Sequence, residues 1–586
     1  MIITHKILLN LGFLVLSYFF SVNNIEANEN KDQPEKGYSK QIKGSVTSNK
    51  FMVSTANPIA TNTGYKVLRS GGSAIDAVVA IQMVLNVVEP QSSGIGGGAF
   101  ILYWDAKTKR LYSFDGRETA PKSLNSNYFI TSDGRKKSFW EAVQGGGSVG
   151  VPGTLRLMEF VHQRYGIVDW SELFQPAIRL ARDGFLVSPR LAKSISGAQK
   201  RGLDSFPAAR AYFFNEDLTP KLANSRLLNK PLAETFDLIS KGGANVFYEG
   251  SLADSIVKSV RKTKLNPGHV TLNDLASYQV KVRKPVCILY RVYEICGMGS
   301  PSSGGLTVGQ ILGILENFDL KEPVPSLKAA HLFIEASKLA YADRALYMAD
   351  KDFIKVPEMG LIDKGYLLNR AQLITDVSSG KATAGHPKGS EGLLRSLQQQ
   401  SERPGTTHYV VVDKYGNAAS VTSTIETGFG SRVMVGGFLL NNELTDFSFV
   451  PERNGRLIAN RVQGGKRPRS SMAPTVVLKA GKPFLITGSP GGSRIISYVA
   501  RTIFNILEWG LDPQAALNSG HIVNRNGVTE LEEGTDAIKL KEGLESLGHK
   551  VKIRNLNSGL HSILFAEDGT LIGAADPRRE GLVMGE

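Results

Sequence analysis

The stretch RPGTTHYVVVDKYGNAASVTST, residues 403–424, constrains the fold more than any other part of the sequence. Pro404-Gly405 interrupts regular structure, and the β-branched run after it predicts a strand that starts at Thr406. With residues 413–417 as the turn, counting outward along the two strands places Thr406 opposite Thr424. The sequence therefore predicts a hairpin in which two threonine hydroxyls lie within hydrogen-bonding reach.

Thr406 has two interpretations at this level. It is either a strand residue like its neighbours or a residue that becomes an N-terminus. Cleavage between Gly405 and Thr406 would give Thr406 a free α-amine, whose unperturbed pKa is near ~8 and which can act as general base for the adjacent hydroxyl. Gly405 would also leave the scissile carbonyl uncrowded. The hairpin alone does not decide between the two.

The first 27 residues are typical of an export signal. Lys6 is followed by an apolar run from Ile7 to Val22 and then by polar residues. We expect cleavage after Ala27; an uncleaved membrane anchor is the alternative, because the run approaches spanning length. After signal removal we expect no stable membrane span, and a periplasmic or secreted location.

The chain of 586 residues has a net charge of +15. Lys6 and Glu26 cancel within the signal, so the remainder also carries +15. A basic surface attracts nucleic acid, anionic membranes or acidic substrates. The sequence has no arginine-rich tract interleaved with aromatic residues and no zinc-ligand spacing, so it predicts neither nucleic-acid binding nor a metal site.

The rest of the chain divides into a helix-rich and a sheet-rich region. Residues 28–50 are polar and predict a disordered leader. Helical patterns dominate from residue 153 to about 354. Residues 380–405 are rich in Gly, Ser, Lys and Gln and predict an exposed linker, after which strand patterns begin. The resulting regions are 51–405, rich in helix, and 406–586, rich in sheet.

The two cysteines, Cys287 and Cys296, lie in the stretch VCILYRVYEICGM. A hairpin that turns at Arg291-Val292 would set them opposite each other, within reach of a disulfide. In an oxidising compartment a disulfide is then expected. Two buried thiols are the alternative, because Arg-Val is not a favoured two-residue turn and the register could slip.

Two short motifs suggest other chemistries but stand in the wrong context. GIGGGA, residues 94–99, matches a dinucleotide-binding pattern, yet a helix pattern precedes it and a strand pattern follows it. GGSVG, residues 146–150, matches the nucleophile elbow of serine hydrolases, yet no apolar strand leads to Ser148. A hydrolase built on Ser148 is kept as a minor alternative.

Four stretches occur in order and at close spacing: TTHYVVVDKYGNAASVTST, LLNNELTDFS, KRPRSSMAPT and GSPGGSRII. Together they resemble the small subunit of a γ-glutamyltranspeptidase, an N-terminal nucleophile hydrolase. Upstream, DAVVAIQMVLNVVEPQSSGIGGGAF, DGRETAP, GGGSVGVPGT and SPSSGGLTVGQIL resemble its large subunit. The resemblance covers the chain from about residue 45. It implies an α+β fold, the four-layer αββα sandwich of these hydrolases, and favours the second interpretation of Thr406.

The resemblance also implies roles for the catalytic residues. Thr406 would cut its own bond to Gly405 and then attack γ-glutamyl amides, with Thr424 hydrogen-bonded to it. Gly491 and Gly492 would form the oxyanion hole, because adjacent glycines allow backbone N–H groups to converge on one oxygen. A plain turn is the other interpretation of this glycine pair.

The glutamyl head of such a substrate is a zwitterion, and its α-carboxylate needs donors. The resemblance assigns Arg117, Ser470 and Ser471 to this group. Arginine offers a two-pronged donor that lysine lacks. A surface arginine would be the ordinary interpretation of Arg117 if it stood alone.

The α-ammonium group needs acceptors, which the resemblance places at Glu426, Glu443 and Asp446. Three carboxylates at one site repel one another unless a cation lies among them, which suits an ammonium site. Some relatives carry Asn where Glu426 stands. Residues 449–469 contain no tyrosine and are shorter than the lid of some relatives. The presence of a lid is therefore left open, and an open site could admit larger acceptors or longer γ-linked chains.

The sequence thus predicts an exported γ-glutamyltransferase and glutathione hydrolase. Cleavage before Thr406 would give a large subunit, residues 28–405, interlocked with a small subunit, residues 406–586. The expected donors are glutathione and other γ-glutamyl compounds, and the acceptors are water, amino acids or dipeptides; no metal or organic cofactor is needed. The alternatives are a poly-γ-glutamate hydrolase or β-lactam acylase of the same fold, or an uncleaved, inactive relative that binds γ-glutamyl compounds.

Overall fold

Two seven-stranded antiparallel sheets form the centre of the molecule. The computed structural model describes residues 42–320, 325–398, 403 and 405–586. In spatial order, the strands of the first sheet are β23 (Leu582–Gly585), β2 (Met52–Thr55), β10 (Thr406–Val412), β11 (Ala418–Thr424), β3 (Gly98–Asp105), β4 (Arg110–Gly116) and β7 (Lys281–Arg283).

The second sheet is built in the same way from strands that lie far apart in the sequence. In spatial order they are β1 (Val46–Ser48), β22 (Leu571–Ala575), β21 (His561–Phe565), β17 (Lys482–Gly488), β16 (Thr475–Lys479), β9 (Tyr293–Gly297) and β8 (Val286–Tyr290). Both sheets therefore contain strands from either side of the Gly405–Thr406 bond.

In the described part of the chain, nine short strands lie outside the two large sheets. They form three pairs and one three-stranded sheet: β5 (Phe185–Leu186) with β6 (Arg226–Leu227), β12 (Met434–Val435) with β13 (Phe438–Leu439), β14 (Glu452–Arg453) with β15 (Arg456–Leu457), and β18 (Ile522–Val523) with β19 (Thr529–Glu532) and β20 (Val551–Arg554). The pair β14–β15 lies in the segment 449–469. The sequence did not decide whether this segment forms a lid.

Helices cover the outer face of each sheet. The first sheet shares a hydrophobic core with the helices Pro58–Arg69, Ala74–Val88, Thr154–Tyr165, Trp170–Asp183, Pro189–Gln199, Pro207–Phe213, Lys230–Gly242, Asn245–Tyr248, Ser251–Arg261 and Leu272–Ala276. The second shares a core with Gly304–Leu315, Leu327–Tyr347, Glu358–Leu361, Lys364–Ala371, Ile495–Trp509 and Pro513–Asn518. Phe139–Val143 and Lys541–Ser546 pack in smaller clusters.

The inner faces of the two sheets pack against each other. Val410 and Phe100 of the first sheet share a core with Ile486 of the second. Ser420 on β11 donates a hydrogen bond across the interface to the carbonyl oxygen of Thr487 on β17, at 2.9 Å. The order of layers is therefore helix, sheet, sheet, helix, and the predicted αββα sandwich is confirmed.

The helix Ala74–Val88 shows how the sequence determines this packing. Its sequence, AIDAVVAIQMVLNVV, is apolar on nearly every side, which is typical of a helix enclosed by other elements. All 15 of its residues are buried. Ser73 and Asp76 form a capping box that satisfies backbone N–H groups at its start. Gly71-Gly72 separates it from the preceding helix, Pro58–Arg69.

The N-terminal predictions meet the structure only in part. The signal, residues 1–27, and residues 28–41 of the expected leader lie outside the described residues. Residues 46–48, which the sequence reading placed in a disordered leader, form the edge strand β1. Val46 pairs with Gly573, and Ser48 pairs with Leu571. The disorder prediction is wrong for this stretch, because a long-range strand partner holds a polar sequence in place.

The cysteine hairpin has the register predicted from the sequence. Cys287 on β8 pairs with Cys296 on β9, and a disulfide joins them with the Cα atoms 4.1 Å apart. Arg291 and Val292 form the turn between the strands. Arg291 has a φ of 54°, the left-handed conformation that a tight two-residue hairpin requires.

Within the residues described, no helix combines the length and apolar character needed to cross a lipid bilayer.

Candidate active site

The predicted threonine pair forms as the hairpin count requires. Thr406 is the first residue of β10 and Thr424 is the last residue of β11, and the two are directly paired. Their Oγ1 atoms lie 3.1 Å apart. Both residues are buried. The predicted register is confirmed.

The hydroxyl of Thr424 connects three groups around the Gly405–Thr406 bond. It donates to the carbonyl oxygen of Gly405 at 3.2 Å, and it accepts from the backbone N–H of Glu426 at 2.8 Å. Because a hydroxyl has one proton to donate, the 3.1 Å contact with Thr406 then has Thr406 as its donor. Thr424 thus polarises the carbonyl of Gly405 and orients the hydroxyl of Thr406 beside it.

The glycine pair predicted as an oxyanion hole lies at a turn that requires glycine. Gly491 has a φ of 137° and Gly492 a φ of 60°, in regions that L side chains rarely adopt. A Cβ atom on Gly491 would come within 2.8 Å of the ring of Tyr498. Gly492 begins a 3-10 turn, Gly492–Arg494, and lines the same cleft as Thr406.

Arg117 follows directly after strand β4 and is buried in the same cleft. Its Nη1 atom lies 2.5 Å from Glu443 Oε1, and its Nη2 atom donates to Asp446 at 2.7 Å. Its side chain also donates to the backbone carbonyls of Pro468 and Arg469. In the uncut chain the guanidinium is therefore held by two of the acids predicted to bind an ammonium group.

Glu443 and Asp446 stand at the two ends of a single 3-10 turn. Their spacing of three residues brings both carboxylates to one side of that turn. Burial raises the pKa of Glu443 well above its usual range, although Arg117 acts in the opposite direction. Arg117 is the cation that allows these two carboxylates to lie together.

Glu426 lies next to this pair on an unusual backbone. Its φ is 75°, which is rare for a residue with a side chain. Its carboxylate accepts from the side chain of Asn442 at 2.8 Å and from the backbone N–H of Arg403 at 3.2 Å. Burial, with repulsion from Asp446, raises the pKa of Glu426 well above its usual range. An incoming cation would relieve this repulsion.

Glu118 is a fourth buried carboxylate that sequence reasoning missed. Its side chain lies 3.8 Å from Arg117, and a Cβ on Gly98 would clash with it. Burial raises the pKa of Glu118 to about 7, partly opposed by Arg117. Adjacency to Arg117 was the only available signal, and an Arg-Glu pair directly after a strand does not reveal which of its side chains turns inward.

Ser470 and Ser471 line the cleft beside Met472. The hydroxyl of Ser471 accepts from Nη2 of Arg344 at 2.6 Å. The hydroxyl of Ser470 accepts from the backbone N–H of Met472 at 3.1 Å. The structure therefore brings both serines to the cleft that contains Arg117. Arg344, on the helix Leu327–Tyr347, is a second buried arginine that the sequence did not single out.

Arg403, two residues before Gly405, lies at this cleft. Arg403 lines it together with Thr406, and its guanidinium lies 5.0 Å from the ring centre of Phe139. Its backbone N–H donates a hydrogen bond to one carboxylate oxygen of Glu426. Arg403, two residues before Gly405, thus contacts one of the groups that the sequence assigned to substrate binding.

The alternative nucleophile has no comparable surroundings. Ser148 is buried in the 3-10 turn Gly146–Ser148, and its hydroxyl donates to the carbonyl oxygen of Val143 at 2.5 Å. The stretch 94–99 follows the helix Ala74–Val88 and runs into the start of strand β3, which is the context expected from the sequence and not that of a phosphate loop.

Among the residues that the structure describes, two groups of side chains have potential metal-ligand atoms within 4.8 Å of one another. The first contains the disulfide-bonded cysteines, which are not thiolates. The second is buried and comprises His331, Glu335 and His549. Lys338 donates to Glu335 at 2.6 Å, so a protein cation already neutralises that carboxylate. Neither group is among the described residues that line the cleft around Thr406.

The sandwich, together with a threonine at the start of a central strand, defines the class of the protein: an N-terminal nucleophile hydrolase fold. A profile described as gamma-glutamyltranspeptidase matches residues 60–586. The glutathione hydrolase proenzyme of Bacillus subtilis is 38% identical over 583 residues, which is 97% of each chain. The protein therefore belongs to the γ-glutamyltranspeptidase family and is an enzyme of that class.

Solved structures agree with this assignment. A cephalosporin acylase from Bacillus halodurans superposes with a TM-score of 0.82 at 26% identity, over 95% of this chain and 99% of that one. The γ-glutamyltranspeptidase of Helicobacter pylori has a TM-score of 0.54 at 36% identity, over 62% of this chain and 100% of that one.

Proposed function

We propose that the protein is an exported γ-glutamyltransferase and glutathione hydrolase that is made as an inactive precursor. The observation that carries the proposal is the geometry at residue 406: a threonine hydroxyl held by Thr424, whose own hydroxyl contacts the carbonyl of Gly405. A strand residue with no catalytic role needs no such arrangement. The hydrolase and transpeptidase relatives support the same reaction class.

The first reaction would be cleavage of the chain by Thr406. Its Oγ attacks the carbonyl carbon of Gly405, the C–N bond breaks, and the released amine takes up a proton. Water then hydrolyses the ester, leaving Gly405 as a carboxylate and Thr406 as a free N-terminus. During the attack, negative charge develops on the Gly405 oxygen, to which Thr424 already donates a hydrogen bond.

The second reaction would use the new N-terminus. The α-amine of Thr406 has an ordinary pKa near ~8 and accepts the hydroxyl proton as Oγ attacks a γ-glutamyl amide. The amine half, such as cysteinylglycine, leaves with that proton. Water or the amine of an acceptor amino acid or dipeptide then attacks the γ-glutamyl ester. The turn at Gly491 and Gly492 would donate backbone N–H groups to the oxyanion.

The glutamyl head would bind where charges of both signs already meet. Its α-carboxylate would bind Arg117, Ser470 and Ser471, and its α-ammonium would bind the acids Glu426, Glu443 and Asp446. The raised pKa values of Glu426 and Glu443 in the uncut chain support this assignment, because burial together with a shortage of positive charge favours an added cation.

Export is supported by two features. The first 27 residues have the pattern of a signal peptide. The disulfide between Cys287 and Cys296 is characteristic of an oxidising compartment. A periplasmic or secreted location follows from these two features together.

A β-lactam acylase is a second candidate, because the Bacillus halodurans neighbour has the same fold over nearly the whole chain. The two functions differ in the charge of the acyl group. A γ-glutamyl group carries an ammonium, whereas an acyl group without an amine has no positive charge for these acids to bind. The surplus of carboxylates around Arg117 favours the ammonium-bearing group, so γ-glutamyl compounds are the preferred substrates.

The matched variants Thr406→Ala and Thr407→Val test the proposal. Both residues are buried neighbours on β10, but only Thr406 contacts Thr424. Thr406→Ala should leave a single chain without γ-glutamyl transfer to glycylglycine, and Thr407→Val should keep cleavage and transfer. Retained transfer by Thr406→Ala would refute the assignment. An intact chain that binds glutamate tightly without turnover would instead support a binding protein.

A further inference from the structure

A second, larger cavity of about 660 Å³ lies beside the candidate active site. Five of the residues that line it are basic: Lys381, Arg453, Arg525, Lys552 and Arg554. Among its described lining residues, Glu530 is the one acid. The volume falls within the range of small-molecule sites, and the charge of its walls favours an anionic occupant. We call this cavity the basic pocket.

The single acid of the basic pocket is shared by several arginines. Arg494 pairs with Glu530 through two nitrogens, at 2.7 and 2.8 Å. Arg554 approaches the same carboxylate at 3.1 Å, and Arg525 approaches it at 3.6 Å. One negative charge therefore faces three guanidinium groups, and Lys381 and Arg453 add further positive charge at exposed positions. The walls have a clear surplus of positive charge.

The proposed oxyanion turn lies between the basic pocket and the catalytic cleft. Arg525 donates to the hydroxyl of Ser493 at 2.9 Å, and Tyr341, in the pocket wall, donates to the carbonyl oxygen of the same serine. Ser493 directly follows Gly492, which lines the cleft around Thr406. The basic pocket thus begins one residue from the turn that faces the reacting carbonyl.

The helix Leu327–Tyr347 and the residue Gln398 also contact both cavities. On the helix Leu327–Tyr347, Tyr341 lines the basic pocket, and Arg344 bonds to Ser471 of the cleft. Gln398 lines the basic pocket, and its side chain donates to the carbonyl oxygen of Asp446 at 3.4 Å. A substrate in the cleft therefore has the basic pocket as a neighbour on the side of the turn.

The chemistry of the reaction indicates which part of a substrate reaches this side. The glutamyl head is accounted for by the acids and Arg117, so the other half, the amine, must leave from the reacting carbonyl. An extended dipeptide spans about 7 Å, so a carboxylate at the end of the amine half lies within reach of cations next to Ser493. Lysine and arginine side chains bind carboxylates with charge-assisted hydrogen bonds.

We propose that the basic pocket binds the carboxylates of the amine half of the substrate, both the leaving group and the incoming acceptor. This inference rests on the proposed γ-glutamyl chemistry. It assigns the enzyme a preference for donors and acceptors with several carboxylates in the amine half, as in a chain of glutamate residues. The glutamyl head then fixes the acyl part, and the basic pocket selects the amine part by charge.

Two donors of equal length test the proposal. One is γ-Glu-Glu-Glu, whose amine half carries three carboxylates, and the other is γ-Glu-Gln-Gln-amide, whose amine half carries none. Glutamate release gives kcat/KM for each donor on the mature wild-type protein. The anionic donor should be favoured about 10-fold at low salt, and the preference should shrink between 0.05 and 0.5 M NaCl.

Variants locate the effect. Arg554→Gln and Lys552→Gln should each lower the ratio of the two kcat/KM values several-fold, mainly through a higher KM for the anionic donor. Lys482→Gln removes an exposed charge of the same sign at the start of β17 and should leave the ratio at its wild-type value. Two variants are used so that the failure of one to fold does not decide the result.

The inference is overturned by a wild-type ratio near one at low salt. It is also overturned if Lys482→Gln lowers the ratio as much as the pocket variants do, since the effect would then come from net charge. In either case, release of glutamate from both donors leaves the proposed function standing. Release from neither donor by the wild-type protein would overturn the proposed function itself.

Discussion

The substitution Thr424→Val tests the catalytic geometry with little change of shape. It replaces the hydroxyl by a methyl group on a residue that is fully packed. The variant loses the hydrogen bond to the Gly405 carbonyl at 3.2 Å and the contact with Thr406 at 3.1 Å. It also leaves the backbone N–H of Glu426 without its acceptor at 2.8 Å.

The size of the effect on self-cleavage follows from the charge that forms on the Gly405 oxygen. Losing one donor to such an oxyanion costs about 2.7–4 kcal/mol, or about 10²–10³ in rate. The effect on folding is smaller. An unsatisfied buried N–H costs about 1–3 kcal/mol, which the large core of this protein tolerates. We therefore predict a folded protein that cuts itself about 10²–10³ times more slowly.

The assay is a time course of the uncut fraction by denaturing gel and intact mass. The control is Thr422→Val, two residues earlier on the same strand and the same face. The hydroxyl of Thr422 lies 2.9 Å from Nδ1 of His408 rather than beside Gly405. Both variants lose a buried hydroxyl, but only Thr424→Val should slow cleavage. Equal cleavage rates for the two variants would refute the reasoning.

Two further predictions concern binding and pH. Arg117→Lys keeps the charge but loses the two-pronged contact with Glu443 and Asp446; steady-state kinetics should show kcat/KM for a γ-glutamyl anilide reduced about 10–100-fold, and an unchanged value would contradict the assignment. Burial, then Lys338, lowers the pKa of His549 to about 4. Because the unfolded chain takes up this proton near pH 6.5, stability should fall as pH drops from 6.5 towards 4. His549→Gln should show a smaller loss of melting temperature over that range, and an identical pH profile would refute it.

The hairpin at the candidate site could be predicted from the sequence because its constraints are local. A breaker at Pro404-Gly405, a turn at 413–417 and strict counting between them are enough to pair Thr406 with Thr424. The cysteine hairpin followed the same logic. In both cases the partners lie within 20 residues of each other, so strand pairing fixes their distance.

The charged cluster could be named by family resemblance but not positioned from the residues themselves. Arg117 and Asp446 are 329 residues apart in the sequence and meet because strand β4 and a 3-10 turn end at the same place. No periodicity encodes that contact. The inward orientation of Glu118, the positive φ of Glu426 and the strand at 46–48 depend likewise on long-range packing.

The same limit explains why the basic pocket was not expected. Its basic residues come from four separate segments of the chain, around Lys381, Arg453, Arg525 and residues 552–554. The sequence showed only a net charge of +15. Folding concentrates part of that charge beside Ser493 and leaves one acid among it. Composition can predict that a protein is basic, but the fold decides where the charge acts.

The central claim is that Thr406 becomes an N-terminus and then the nucleophile. N-terminal sequencing combined with intact-mass analysis of the purified protein tests this most directly. The account predicts two fragments that stay together without denaturant, the smaller one running from Thr406 to Glu586. A single chain that stays intact for days, or a small fragment that begins at another residue, would contradict it.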